Sequence, residues 1–457
     1  MKLRLEENWT TTNNGYPLAD GQVEKYLSVL PTAAQAEKAD KPFYCFIHYG
    51  MNTATGREWG NAAETVNDFD ITKFKPKQWI KSIKASGATG VIITAKHHDG
   101  FCMWATGTTD FNVMNTPLNQ DVVWAVKEAC VSQGLDFGIY LSPWDMHETT
   151  YATEQYNDFF CRQLTELLTK YGDIFEVWFD GAKGADAKAF HYDWDRYYNV
   201  VRTLQPNANI AICGPDIRWV GNEQGKARKS EYCVVPEYLT VAETVEKNSQ
   251  NTADKTVNAM PKSSDEDLGS RELLEKHEYL KWYPAEVDVS IRNGWFYPGG
   301  GKVKSVRKLF NIYLNSVGNN SFLLLNVPPN KNGVIVRKDR VRLKKLGARI
   351  NRIYESPVLS QNFGALKPET DGYLEFKFDS VKKLSYVILR EDVTQGQRTE
   401  AFDVFLQKPN GKYKKACSGT VIGMRKIIPV KGLYKSAILV VRQSRGIPVF
   451  KEIGFYE

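Results

Sequence analysis

The chain is poor in the residues that hold metals and build cross-links: its 457 positions include seven cysteines and six histidines. The cysteines, at 45, 102, 130, 161, 213, 233 and 417, are scattered, and no pair has the CxxC spacing of a zinc or redox site. Cys45, Cys213 and Cys233 lie inside apolar, strand-like runs, which reads as small buried hydrophobes and not as a disulfide framework. The histidines lack the HExxH and HxH-type spacings of metalloenzymes. No apolar run reaches the length of a membrane span. There is no phosphate-cradling glycine loop, no nucleotide fingerprint, no internal repeat and no low-complexity tract. The first residues, Met1-Lys2-Leu3-Arg4-Leu5-Glu6-Glu7-Asn8, lack the apolar core of a signal peptide. The expectation is either a cytoplasmic protein or a periplasmic or secreted one presented after removal of a signal.

Charge of one sign is also scarce. The net +7 is modest, and basic residues are thickest in Arg337-Lys338-Asp339-Arg340-Val341-Arg342-Leu343-Lys344-Lys345. Val341, Leu343 and Leu346 interrupt that run and acids are present, so it reads as the solvated face of a helix and no nucleic-acid partner is expected. With 42% hydrophobic and 25% charged residues this is ordinary globular material, long enough for a large domain and a small one. Aromatics are plentiful, with 11 Trp, 23 Tyr and 22 Phe, and such rings serve both cores and sugar-stacking surfaces.

Eight short apolar runs ending in polar residues recur through the first three-quarters of the chain: 43–48, 90–97, 136–142, 175–180, 209–213, 231–235, 287–291 and 321–327. Segments of helical period lie between many of them. Phe159, Phe160, Leu164, Leu167, Leu168 and Tyr171 share one helical face, as do Val306, Leu309, Phe310, Tyr313, Leu314 and Val317. Trp79, Ile80 and Ile83 make a shorter stripe after Pro76, which suits a helix start. The alternation predicts an α/β fold, a (β/α)8-like barrel over residues 1–345. Helices are weakly written after the fifth and sixth strands and 236–270 is turn-rich, so the barrel is expected to be irregular. Beyond residue 345 alternation takes over, as in Tyr373-Leu374-Glu375-Phe376-Lys377-Phe378, with turn signals at Asn410-Gly411 and Lys431-Gly432. Residues 346–457 are therefore predicted to form a C-terminal β-sandwich.

The most informative run is Phe175-Glu176-Val177-Trp178-Phe179-Asp180-Gly181-Ala182. Its alternation puts Glu176, Trp178 and Asp180 on one strand face, and it ends abruptly in a carboxylate. An Asp there opens a turn or, at the carboxyl end of a barrel strand, serves as a nucleophile or base. Other strand ends carry His48-Tyr49-Gly50 with Arg57-Glu58-Trp59, Lys96-His97-His98-Asp99, Tyr140-Leu141-Ser142-Pro143-Trp144-Asp145, Asp216-Ile217-Arg218-Trp219 with Glu223, and Arg292-Asn293-Gly294-Trp295. Imidazoles, carboxylates and Arg hold hydroxyls by hydrogen bonds, while Trp faces cover the apolar patches of a pyranose, so the inventory suits a sugar site. Metal binding by His48, His97, His98 and Asp99 is the competing reading. Adjacent strand residues point to opposite faces, so His97 and His98 share a site only if the backbone turns there. No metal or other cofactor is expected.

HYG at 48–50, KHHDGF at 96–101, YLSPWD at 140–145, WFDGA at 178–182, PDIRWVGNE at 215–223, SIRNGWFY at 290–297 and LLLNVPPNKNG at 323–333 stand in register. Together they resemble the α-L-fucosidases of glycoside hydrolase family 29 over residues ~40–340, in the order of that family's catalytic barrel. The resemblance implies a retaining exo-α-L-fucosidase with Asp180 as nucleophile and Glu223 as general acid/base. Its implied partner is a fucosylated oligosaccharide or glycoconjugate. It also implies sugar contacts from His48, Glu58, His97, His98, Tyr140, Trp178 and Trp295, with Trp59, Trp144, Arg218 and Arg292 nearby. Glu58, Glu231 and Glu237 are the other carboxylates to test. The GNE motif at 221–223 points within the family to a preference for α-1,3/1,4-linked fucose. Segment 225–270 and Pro298-Gly299-Gly300-Gly301 depart from the family pattern, on the side of the leaving group. A retaining glycosidase of related specificity, such as one accepting β-galactosides, and a non-catalytic fucose-binding lectin are the alternatives. The sequence carries no signal of oligomeric state.

Overall fold

Eight parallel strands form one sheet in the order β5-β4-β3-β2-β1-β10-β9-β6. They are β1 (Phe43–Ile47), β2 (Gly90–Lys96), β3 (Asp136–Leu141), β4 (Glu176–Phe179), β5 (Asn209–Ile212), β6 (Arg218–Trp219), β9 (Ala285–Ser290) and β10 (Phe322–Asn326). This computed structural model describes residues 25–184, 190–242, 244–245, 265–297, 301–365 and 373–457. Pro298, Gly299 and Gly300 lie outside the described residues, as do residues 243 and 246–264 of the departing segment.

The two faces of each strand build two cores. Cys45, Ile47, Val91, Ile93, Ile139, Val177, Phe179, Val287 and Leu325 face outward, onto the helices. Those helices include Pro76–Lys84, Glu154–Lys170 and Val306–Ser316, which bury the stripes of apolar residues that their sequences carry. Tyr44, Phe46, Ile92, Tyr140, Trp178, Ala211 and Leu324 face inward and fill the barrel. A further helix, Ala33–Asp40, opens with a Thr32–Gln35 capping box and sends Lys38 into the barrel floor. There the buried Lys38 ammonium pairs with Glu176 and lies 3.6 Å from the centroid of the Tyr44 ring.

The sixth barrel strand corrects an expectation. The apolar run at 231–235 does not enter the barrel; β7 (Val234–Pro236) pairs antiparallel with β8 (Leu280–Trp282) in a separate two-stranded sheet. The sixth position is taken by the two-residue β6, which pairs with β9 through Arg218↔Ala285 and Trp219↔Glu286. A strand this short has no periodicity to read, whereas Tyr232, Cys233, Val234 and Val235 are apolar because their sheet is buried. β5 and β6 are joined by a tight turn with no intervening helix, and an Ala211↔Ile217 bridge draws the ends of the sheet together.

The helix Arg337–Tyr354 runs across residue 345, and the second sheet begins at β11 (Pro357–Gln361). Its seven antiparallel strands include β13 (Tyr373–Glu391), β16 (Lys426–Ser444) and β17 (Val449–Tyr456). β13 and β16 each run for 19 residues and pair through two register shifts. Phe376, in the first half of β13, meets Phe455 at 5.1 Å, although Phe455 is register partner to Val387 in the second half. The sheet thus folds over its own core as a β-sandwich. It packs beneath the barrel, where Asn320, just before β10, accepts from the Met424 amide, and Arg390 and Lys451 pair with Asp40.

Candidate active site

The carboxyl ends of the barrel strands converge on a cavity of about 380 Å³. Its wall is built from Phe46 of β1 and His48 just after it, His97 and His98 after β2, Tyr140 and Trp144 at β3, Trp178 and Asp180 at β4, and Asp288 of β9. Loops add Trp59, Ala182, Lys183, Glu223 and Trp295. β2 ends at Lys96 and the chain turns immediately after it, so adjacent His97 and His98 both face the cavity with ring centroids 4.1 Å apart.

Asp180 stands where β4 leaves the sheet, its side chain 23% exposed. The Ala182 amide donates to Oδ1 at 2.8 Å and the Tyr140 hydroxyl to Oδ2 at 2.9 Å. Burial and the neighbouring Asp180 charge push the Tyr140 phenol well above its ordinary value, so it holds its proton and acts as donor. Tyr140 is itself stacked on Trp178, 5.2 Å between centroids, and the Trp178 indole donates to Glu286 Oε1 at 2.8 Å. Tyr44 donates to the other oxygen of Glu286. The carboxylate at the cavity is therefore held by a rigid aromatic stack that is anchored inside the barrel.

The three imidazoles differ in what they offer a ligand, and their partners assign the tautomers. Asn326 donates from Nδ2 to Ser290 Oγ and Trp295 O, so its Oδ1 accepts, and His48 Nδ1 donates to it at 3.0 Å. Ser142 donates to Trp144 O, so its oxygen accepts from His98 Nδ1 at 2.8 Å. His48 and His98 thus present an Nε2 lone pair to the cavity. His97 Nδ1 instead faces the Asn52 amide at 3.5 Å, which leaves its Nε2 as a donor. All three stay neutral. Burial lowers His48 to about 3 and holds His97 well below its ordinary value. Burial also lowers His98; the Asp180 charge opposes that shift and the Lys96 charge adds to it.

Glu223 lies at the rim of the cavity on the loop that leaves β6. Gly221, at φ 94°, takes a left-handed turn there, and Asn222 ties the loop by accepting from the Gln224 amide and donating to Lys226 O. The walls around the Glu223 carboxyl raise it above its ordinary value, and the charge of Asp180, then that of Glu58, raises it further. A hydrogen bond from Trp295 works the other way. Trp295 is held in turn by Glu58, which accepts from the backbone amides of Trp295 and Phe296.

Several of the residues named from the sequence do not line the cavity. Arg218 is buried outside the cavity wall, donating to Glu231 Oε1 at 2.7 Å and Tyr232 O at 3.2 Å. A guanidinium out of water needs a carboxylate, and Glu231 supplies one. Burial alone pushes the Glu231 carboxyl up, but the charges of Arg218 and Arg228 overcome this and hold it below its ordinary value. Arg292 is likewise spent on Asp339, and Glu58 supports Trp295 from outside the wall. Glu237 lines a different surface groove. Trp59 and Trp144 stand at the cavity, 5.4 Å apart, with Trp59 53% exposed. Asp288 and Asn326 were not singled out from the sequence. A signal for Asp288 was present in Glu286-Val287-Asp288-Val289-Ser290, a barrel strand whose inward face is entirely polar. No group of three His, Cys, Asp or Glu among the described residues is arranged to hold a metal ion, and no helix there is long and apolar enough to cross a membrane.

A parallel barrel whose mouth sets a group of carboxyls amid imidazoles and tryptophans has the make-up of a glycoside hydrolase. Residues 32–354 match the family model described as α-L-fucosidase. Alpha-L-fucosidase 1 of Arabidopsis thaliana is 34% identical, over 93% of this chain and 87% of that protein. A glycoside hydrolase 29 family member from a rumen bacterium superimposes with a TM-score of 0.80 at 31% identity, over 94% of this chain and 77% of that one. A GH29 fucosidase of Ruminococcus gnavus in complex with fucose superimposes with a TM-score of 0.80 at 26% identity, covering 94% and 95%. The chain belongs to the α-L-fucosidase family, glycoside hydrolase family 29.

Proposed function

We propose that this enzyme releases terminal α-L-fucose, with α-1,3/1,4 preference, from oligosaccharides or glycoconjugates and retains the anomeric configuration. The observation that carries the reading is the pairing of Asp180 and Glu223 in one cavity, with the charge of the first raising the carboxyl of the second. In the first step an Asp180 oxygen bonds to the anomeric carbon as the glycosidic C–O bond breaks, and Glu223 gives its proton to the departing oxygen. In the second step Glu223, now a carboxylate, takes a proton from water. The water oxygen bonds to the anomeric carbon and Asp180 leaves.

The acceptor atoms of His48 and His98, the donor of His97 and the apolar rings of Phe46 and Trp295 suit a sugar with several hydroxyls and one methyl group. Galactose would bring a 6-hydroxyl against those rings and lose its hydration there. The preference in linkage rests on the GNE sequence of the loop that carries Glu223.

Free fucose released from a Lewis-type trisaccharide and from an aryl α-L-fucoside, by wild type and Asp180→Ala, tests the reading. Release by wild type and its loss in the variant are expected, and the ratio of the two substrates reports linkage preference. No release from either substrate would leave the lectin or other-glycosidase readings, and activity surviving in the variant would show the nucleophile to be misassigned.

A further inference from the structure

A two-carboxyl mechanism leaves one carboxyl group of this cavity without a task. Glu286, Asp288 and Ser290 alternate along β9 and share its inward face. Glu286 is occupied by Tyr44 and Trp178, and Ser290 Oγ accepts from Asn326. Asp288 lies between them, 3% exposed, and lines the cavity together with Asp180 and Glu223. Its Oδ1 accepts from the Trp219 indole at 3.1 Å, and the carboxyl also accepts from its own backbone amide, which leaves acceptor room on Oδ2 towards the cavity.

A carboxyl oxygen facing a cavity that a substrate fills needs a partner from that substrate once water is displaced. A carboxyl group is also more than the Trp219 indole requires, since an amide oxygen would accept from it equally well. We propose that Asp288 is a specificity-determining residue of this site, its Oδ2 hydrogen-bonding one hydroxyl of the terminal fucose. This rests on the fucosidase reading above.

The electrical surroundings favour a neutral group in that role. Burial, then the charges of Glu223 and Glu286, raise the Asp288 carboxyl well above its ordinary value, while the Trp219 hydrogen bond opposes them. With Oδ1 accepting from Trp219, a proton on Oδ2 is free to be donated to a sugar oxygen. A neutral Asp288 also adds no further negative charge beside Asp180 and Glu223.

The test pairs deletion on the enzyme with deletion on the sugar. Values of kcat/KM are measured for wild type, Asp288→Ala and Asp288→Asn on an aryl α-L-fucoside and on its 2-, 3- and 4-deoxy analogues. Asp288→Ala is expected to lower kcat/KM on the parent fucoside by about 10–100-fold. On one of the three deoxy analogues, where the partner hydroxyl is already absent, the same substitution should cost almost nothing. Asp288→Asn, which keeps shape and a donor, should show the same selectivity with a smaller loss, and serves alone if the alanine variant does not fold. An equal loss on all four substrates would overturn the proposal, since Asp288 would then act only by holding Trp219. No loss on the parent would overturn it as well. A wild type inactive on the parent fucoside would instead sink the fucosidase reading.

Discussion

Replacing Arg292 by Met should destabilise the fold and blunt the site together. Arg292 is 3% exposed and Asp339, on the helix Arg337–Tyr354, is fully buried; Nε and Nη2 reach the two carboxylate oxygens at 2.8 Å each. Arg292 also donates to Gly301 O, so the guanidinium braces the turn that carries Trp295. Methionine keeps much of the stem volume and leaves a buried carboxylate without its cation, a loss of about 3–5 kcal/mol. That compares with the ~5–15 kcal/mol by which a domain is stable at all. Burial already raises the Asp339 carboxyl, against the pull of Arg292, and without the guanidinium it rises further. A carboxyl raised in the folded state costs stability above its folded value and nothing below its unfolded value, about 3.9. The deficit of Arg292→Met should therefore be full near about pH 8 and shrink towards about pH 4. Urea unfolding followed by tryptophan fluorescence at several pH values measures it, and kcat/KM on an aryl fucoside should fall by about 10-fold as Trp295 loosens. Adding Asp339→Leu should recover most of the stability. A shift under about 1 kcal/mol, or a deficit that does not change with pH, would refute the argument.

Glu223→Gln should lose about 10²–10⁴-fold in kcat/KM on sugar leaving groups, which need a proton, and far less on an activated aryl fucoside; an equal loss on both would deny Glu223 the role of acid. Because the Asp180 charge helps raise the Glu223 carboxyl, Asp180→Asn should lower the Glu223 titration midpoint, read by infrared difference spectroscopy, and an unmoved midpoint would count against the pairing. Tyr140→Phe removes the 2.9 Å donor to Asp180 while keeping the stack on Trp178, so kcat/KM should drop about 10-fold with the melting temperature little changed; a large thermal shift would point to a packing role instead.

Much of this was legible in the chain because barrels write their chemistry at strand ends. Seven of the eight expected barrel strands stand in the barrel, and His48, His97, His98, Tyr140, Trp178 and Asp180 meet at its mouth. What escaped did so for physical reasons. β6 is two residues long and has no period, while the run before it is apolar on behalf of a separate buried sheet. Arg218 and Arg292 carry the residue type that sugars favour, but a guanidinium just behind a wall looks the same in sequence as one in front of it. Asn326 sits at the end of the Leu-rich β10, and nothing in its neighbours reveals that it sets the tautomer of His48.

On the proposed mechanism, the junction between β5 and β6 divides labour between the two carboxyl groups. Asp180 ends a strand with paired neighbours on both sides, whereas Glu223 hangs from the lip of the seam where the sheet meets itself through a single bridge. One behaves as an anvil fixed to the frame and the other as a hammer on a short handle. On that mechanism, leaving groups of different bulk would be met by adjusting the handle, without disturbing the surface that receives the fucose.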